Sequence, residues 1–287
     1  SLRVQLGLLE VDEYTIKVVV NDDTVELPFS VTQEYIDDVL TQEQFEIDEE
    51  QRLQDEEEIA QAELEAELEA QLIQQLVGLD YVCIKVHDEA SVLANLRTQL
   101  GAFNKTSFSD REFDIILNHL AKGNVFEKAK TLRDRFQFTR DDNTSCYIAF
   151  YDSENYSNNL FQVTNQVTQE GNYKNRYDVT LMVNGLPLVQ IELKRRGIEI
   201  KEAFNQVNRY QRHTYWTNSG LFNYVQIFVI SNGVNTKYYA NNRLQSFQQT
   251  FPWADVNNRN INDLTSFTDT FLNTSHLWKM IAHYVVL

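Results

Sequence analysis

Two strand-length runs joined by Asn184-Gly185 constrain this chain more than any other stretch. Asp178-Val-Thr-Leu-Met-Val183 precedes the dipeptide, and Leu188 to Lys194 follows it. Asn-Gly accepts the positive φ angles of a tight two-residue turn, so the pair predicts an antiparallel hairpin. A further run, Tyr224-Val-Gln-Ile-Phe-Val-Ile230, is almost continuously apolar. That is the composition of a strand at the centre of a sheet covered on both faces. Residues 198–215 predict a helix between them, and Asn232-Gly233 predicts a turn into a strand over Lys237–Ala240. Upstream, Cys146–Tyr151 and Leu160–Thr164 read as strands leading into the hairpin. The expected fold class is therefore α/β, with a mixed central β-sheet flanked by helices.

The first part of the chain has a different texture. Alternation over Tyr14–Val20 and Val25–Phe29 predicts a hairpin around Asn21-Asp22-Asp23. From Thr32 to about Leu76 there is no Gly or Pro, and Glu, Gln and Leu dominate. This predicts a long solvated helix with one buried stripe of Ile59, Leu64, Leu68, Leu72, Ile73 and Leu76. Gly78-Leu79-Asp80 ends it, Tyr81–Val86 reads as a short strand, and Glu89–Leu100 as a helix with Val92, Leu93, Leu96 and Leu100 inward. Ser109 followed three residues later by Glu112 is a capping box, with Phe108 and Phe113 as its staple, so Glu112 is assigned a structural role. Another helix is expected near 124–135, and a loop with helices over 246–287.

Charge needs its distribution before it excludes anything. The net charge is −17 over 287 residues. Residues 1–80 hold 23 Asp/Glu and 3 Lys/Arg, whereas residues 81–287 hold 19 acids and 22 bases. Over 171–215 there are 8 bases (Lys174, Arg176, Lys194, Arg195, Arg196, Lys201, Arg209, Arg212) against 4 acids. A local basic patch suits a polyanionic substrate despite the acidic total. Cys83 and Cys146 have no Cys-x-x-Cys spacing and read as buried free thiols of a reducing compartment, which excludes a disulfide framework or a zinc finger. No stretch approaches the roughly 18 apolar residues of a membrane span. The expected location is cytoplasmic.

Chemistry concentrates at the hairpin. Side chains alternate along a strand, so Gln190, Glu192 and Lys194 share one face while Val189, Ile191 and Leu193 share the other. A carboxylate and an ammonium on a strand fit for burial are costly unless compensated. One compensation is a buried Glu–Lys ion pair. The other is a bound cation with a phosphate substrate, and Asp178, at the start of the preceding strand, can reach the same end of the sheet. Two carboxylates, a backbone carbonyl and several waters suit magnesium. On the following helix, Gln206 and Tyr210 lie four residues apart on one face, with Arg209 and Arg212 nearby.

The pattern Asp178…Glu192-Leu-Lys194 followed by Gln206-x-x-x-Tyr210 resembles the PD-(D/E)xK nuclease superfamily in its RecB-like branch. Asn184-Gly-Leu-Pro-Leu-Val-Gln-Ile-Glu-Leu-Lys-Arg-Arg196, then Glu202 to Tyr210 and Phe228-Val-Ile-Ser-Asn-Gly233, resembles the endonuclease domain of the type I restriction enzyme R (motor) subunit. The likeness is specific over about 170–240 and looser over 65–170. Tyr177 stands where the family has the Pro before its first acid.

The resemblance implies a restriction-endonuclease-like core that cuts double-stranded DNA with Mg2+. It makes Asp178 and Glu192 metal ligands and gives Lys194 the attacking water. Gln206 and Tyr210, supported by Arg195, Arg196 and Arg209, would contact the DNA backbone. An extra acidic ligand from the first core helix is expected at Glu69, although Glu63, Glu65 and Glu67 share its run. Expected boundaries are an acidic segment over 1–64, the nuclease domain over 65–245, and a connector over 246–287 toward a motor. No Gly-x-x-x-x-Gly-Lys-Ser/Thr phosphate loop occurs, so the chain is expected to be an N-terminal fragment that cuts but does not translocate, with ATP serving only the absent motor. The implied partners are DNA and, through the full-length protein, the specificity and methyltransferase subunits. The alternatives are a repair or junction-resolving nuclease of the same superfamily, and a docking module that kept the fold without cleavage.

Overall fold

The computed structural model describes residues 12–20, 23–169, 175–210, 220–242 and 244–284. The chain divides into two compact units, residues 1–62 and 63–287. In the first, β1 (Asp12–Val20) and β2 (Asp23–Val31) form the expected antiparallel hairpin. Asn21 and Asp22, which join the two in sequence, lie outside the described residues. Helix α1 (Gln33–Gly78) runs unbroken, as the lack of Gly and Pro predicts. Its exposed faces carry short-range pairs such as Arg52 with Glu49 and Glu56, each at 2.6 Å.

The second unit continues with β3 (Val82–Cys83), α2 (Glu89–Asn104), α3 (Asp110–Leu120), α4 (Val125–Arg133) and a hairpin of β4 (Arg135–Thr139) and β5 (Ser145–Ala149). Then come β6 (Phe161–Gln169), β7 (Asn175–Val183), β8 (Leu186–Leu193), α5 (Ile200–Tyr210), β9 (Ile227–Ser231) and β10 (Thr236–Ala240). A short pair, β11 (Trp253–Ala254) and β12 (Asn260–Ile261), precedes α6 (Leu264–Thr270) and α7 (Thr274–Lys279). Six strands form the central sheet in the order β10-β9-β8-β7-β6-β3. It is mixed: β3 runs parallel to β6 and β8 parallel to β9, and the other neighbours are antiparallel. This is the expected α/β architecture.

Every residue of β8 and β9 is buried, because the sheet is covered on both faces. Adjacent residues of β10 reveal the two coverings. The Tyr239 ring lies 5.3 Å from Phe204 of α5, while the Tyr238 ring lies 4.5 Å from Phe271, just after α6. Gln75 near the end of α1 ties that helix to α6 through the Thr265 carbonyl (2.8 Å) and the Asp269 carboxylate (2.6 Å). Phe267, Phe271 and Leu277 are fully buried in the same core.

Several local expectations change. The buried stripe of α1 is real only at its C-terminal end: Leu72 and Leu76 are buried, but Ile59 and Leu64 are exposed. Helical spacing marks a face, and only the part of that face lying on the sheet leaves water. The strand at Tyr81–Val86 shrinks to Val82–Cys83 at the sheet edge, where it pairs with β6 alone. Edge position also leaves Cys83 exposed, and Cys146 is only half-buried, so neither is the buried thiol expected. The strand at Cys146–Tyr151 belongs to the separate β4–β5 pair, not the central sheet. The helix expected over 198–215 is described from Ile200 to Tyr210, and residues 211–219, with Arg212 and His213, lie outside the described residues. The capping box forms as expected: Ser109 accepts from the Glu112 N–H, and Glu112 from the Ser109 N–H.

The Asn184-Gly185 turn holds the site hairpin in register, with φ of 52° and 85°. Asn184 donates to the Phe150 carbonyl at 3.0 Å and accepts from the Leu160 N–H at 2.8 Å. A Cβ on Gly185 would stand 2.8 Å from the Leu96 Cα of α2. Gly185→Ala is therefore expected to cost roughly 1–3 kcal/mol or more, from a positive φ plus a backbone contact that cannot relax. Urea denaturation monitored by circular dichroism measures it, and a midpoint equal to wild type would contradict the close approach.

Candidate active site

The site grows from the exit of β8. Val179 pairs with Ile191 across β7 and β8, so the register continued by one residue sets Asp178 opposite Glu192. Three consecutive backbone N–H groups then find three different acceptors. Leu193 donates to Asp178 Oδ2 at 2.7 Å, Lys194 to the Ser231 carbonyl of β9 at 2.8 Å, and Arg195 to Glu65 Oε1 of α1 at 3.1 Å. The strand end is pinned from both sides and from the covering helix.

Two buried glutamates separate structural from chemical burial. Glu112 is 3% exposed, yet its carboxylate accepts from Arg140 at 3.0 and 3.2 Å, from the Ser109 N–H at 3.1 Å and from the Asp141 N–H at 3.2 Å. Those partners, Arg140 first, hold its carboxyl below the ordinary value. Glu192 is 0% exposed, and neither of its oxygens has a hydrogen-bond partner among the described residues. Burial, then the negative charge of Asp178, pushes its carboxyl well above the ordinary value. An ion pair with Lys194 does not form. The ammonium lies 3.4 Å from Glu65 Oε2 instead.

Glu65 is the residue that sequence reasoning missed. The run Glu63, Glu65, Glu67, Glu69 is ambiguous by spacing alone, and the expectation falls on Glu69. Glu65 and Glu69 stand four apart on α1 and reach different strands. Glu65 meets the end of β8, while Glu69, 6% exposed, accepts from Asn165 and from Gln166 of β6. Both raise the Asp178 carboxyl through their negative charge.

Helix α5 brings the remaining groups. Gln206 and Arg209 line an open groove of about 480 Å³ together with Lys194, Glu202, Asn205 and Asn208. Tyr210 ends the helix, but its side chain lies outside the described residues. Arg195 and Arg196 face elsewhere, into a groove of about 440 Å³ walled by Leu68, Gln71 and Leu72 of α1. The structure therefore gathers Asp178, Glu192, Lys194, Gln206 and Arg209, and sets the two arginines on a separate wall.

The donor set fits a hard divalent cation. Two adjacent carboxylates, one with both oxygens buried and unpartnered, are what such an ion compensates, and magnesium keeps several waters of its own. Among the described residues no group of three or more His, Cys, Asp or Glu converges as a complete metal cage.

Comparison with known proteins places the chain in a family. The family described as type I restriction enzyme R protein N terminus matches residues 55–247. The chain belongs to that family. The chain is 43% identical over 221 residues to the type I restriction enzyme SsaAORF53P endonuclease subunit of Staphylococcus saprophyticus, covering 75% of this chain and 23% of the relative. It is equally similar to the SauCOLORF180P endonuclease subunit of Staphylococcus aureus, covering 24% of it. It is 40% identical over 224 residues to the EcoprrI endonuclease subunit of Escherichia coli, covering 75% of this chain and 71% of the relative. The chain thus spans about a quarter of the length of the staphylococcal relatives. Family membership sets aside the repair and junction-resolving alternatives. No helix among the described residues is long and apolar enough to cross a membrane.

Burial raises the Asp178 carboxyl to about 6, against the pull of the Leu193 N–H and Lys194. A raised folded-state value means that the unfolded chain loses this proton first as pH rises. The neutral carboxyl's contribution is complete below about pH 4 and is lost as pH passes through about 6. With divalent cations chelated, Asp178→Asn should gain on wild type by about 3 kcal/mol between about pH 4 and pH 7. Denaturant midpoints across that range measure the gain, and a constant difference would refute the buried carboxyl.

Proposed function

We propose that this chain is the nuclease part of a type I restriction enzyme R subunit and hydrolyses phosphodiester bonds of double-stranded DNA with Mg2+. The observation that carries the reading is the Glu192 carboxylate, fully buried without a partner, opposite Asp178 and two residues from Lys194. Asp178 and Glu192 would hold the cation, with Glu69 as a third carboxylate within electrostatic reach. A bound magnesium ion would acidify a water and stabilise charge on the scissile phosphate.

The chain's own groups do the rest. The Lys194 ammonium has three donors, of which Glu65 engages one, so others are left for the attacking water and a phosphate oxygen. Gln206 and Arg209, with Tyr210 beside them in sequence, would hold the DNA backbone along the α5 groove. Arg195 and Arg196 would take phosphates on the other wall. Amides and guanidinium groups aimed at a backbone position DNA without reading its bases. That suits an enzyme whose sequence recognition comes from a specificity subunit, beside a methyltransferase subunit, in the cytoplasm. ATP would serve a motor elsewhere in the full-length protein.

The test is cleavage of supercoiled plasmid by the full-length assembly with Mg2+. Glu192→Ala should abolish cutting while the assembly still binds DNA. Glu65→Gln, which keeps the acceptor for the Arg195 N–H but loses the charge beside Lys194, should slow cutting about tenfold, as for other supporting groups of metal sites. Equal cutting by wild type and Glu192→Ala would remove the site assignment.

A further inference from the structure

A second orphan oxygen shares the sheet face of Glu192. Tyr239 of β10 is 1% exposed, and its hydroxyl has no hydrogen-bond partner among the described residues. Register places it: Tyr239 pairs with Phe228 of β9, and Phe228 with Gln190 of β8. Glu192 lies two residues along β8 from Gln190, so both side chains leave the same face. The Tyr239 ring is clamped between Phe228 (5.4 Å) and Phe204 of α5 (5.3 Å), which fixes the position of its hydroxyl oxygen. A buried phenol O–H ordinarily finds an acceptor, and an ionised carboxylate only accepts. One dry compartment under α5 therefore holds a donor without an acceptor and an acceptor without a donor.

We propose that Tyr239 is a positioning residue for Glu192, its O–H donating to one carboxylate oxygen once a cation holds the other. The proposal rests on the reading of Glu192 as a metal ligand. The negative charge of Glu192 is felt at the Tyr239 hydroxyl, adding to burial in raising it well above the ordinary phenol value. Orientation of a ligating carboxylate by an outer group is worth roughly 10–100-fold in metal affinity.

Isothermal titration of the full 287-residue chain with Mn2+ tests this. Wild type should bind, Glu192→Gln should lose most of the affinity, and Tyr239→Phe should weaken it about tenfold. The metal-free Tyr239→Phe chain should melt at or above the wild-type temperature, since an unpartnered hydroxyl leaves the dry interior. Tyr238→Phe removes a hydroxyl from the opposite face of β10, where the ring packs on Phe271, and should leave Mn2+ affinity unchanged. Wild-type affinity in Tyr239→Phe, or an equal loss in Tyr238→Phe, overturns the role of Tyr239 while the metal site stands. Equal binding by wild type and Glu192→Gln, or no binding by wild type, overturns the metal site itself and this inference with it.

Discussion

A carboxylate with no partner in the middle of a covered sheet is the interaction on which this structure turns. Glu192 costs free energy where it stands, because a buried ionisable group without hydrogen bonds forgoes its hydration. The fold carries that cost with a strand whose every residue is buried, neighbours on both sides, and helices over both faces. Glu112 is a control within the same molecule. Its side chain is also out of reach of most solvent, yet Arg140 and two backbone N–H groups satisfy it. Burial alone does not mark a site, whereas burial with unmet hydrogen-bonding capacity does.

The parallel step from β8 to β9 explains where the groove lies. Parallel neighbours need a crossover, and α5 supplies it. The crossover helix must pack on the strands it connects, so its polar face rises directly above the exit of β8. Gln206 and Arg209 are thereby delivered beside Lys194 without any special loop. Helix α1 arrives from the other side and brings Glu65 to the same strand end. The acidity of residues 1–80 does not contradict a polyanionic substrate, since the basic excess is local to the segment that builds the site.

Much of the fold was legible in the sequence. Asn184-Gly185 announced the hairpin, the apolar run before Asn232-Gly233 announced a strand covered on both faces, and the capping box at Ser109 announced α3. Those signals are local and need no partner to be read. The misreadings share one cause. Ile59 and Leu64 have helical spacing but stay exposed. Cys83 lies on a strand that stops after two residues at an edge. The strand at Cys146 pairs only with β4. Periodicity reports which face a residue takes, not whether anything covers that face.

The motif behaved in the same way. Period-two alternation and the turn set Asp178, Glu192 and Lys194 at one end of a hairpin, and helical spacing grouped Gln206 with Tyr210, so sequence by itself determined the catalytic candidates and the family they resemble. It could not decide which acid of the run from Glu63 to Glu69 approaches the site, because residues two apart on a helix face different directions and the docking angle of α1 is a tertiary quantity. Nor could it decide whether Glu192 and Lys194 pair with each other. Tertiary structure gave Lys194 to Glu65 and left Glu192 unpartnered, because α1 packs within reach of the ammonium while the Glu192 side chain stays inside the sheet's covering.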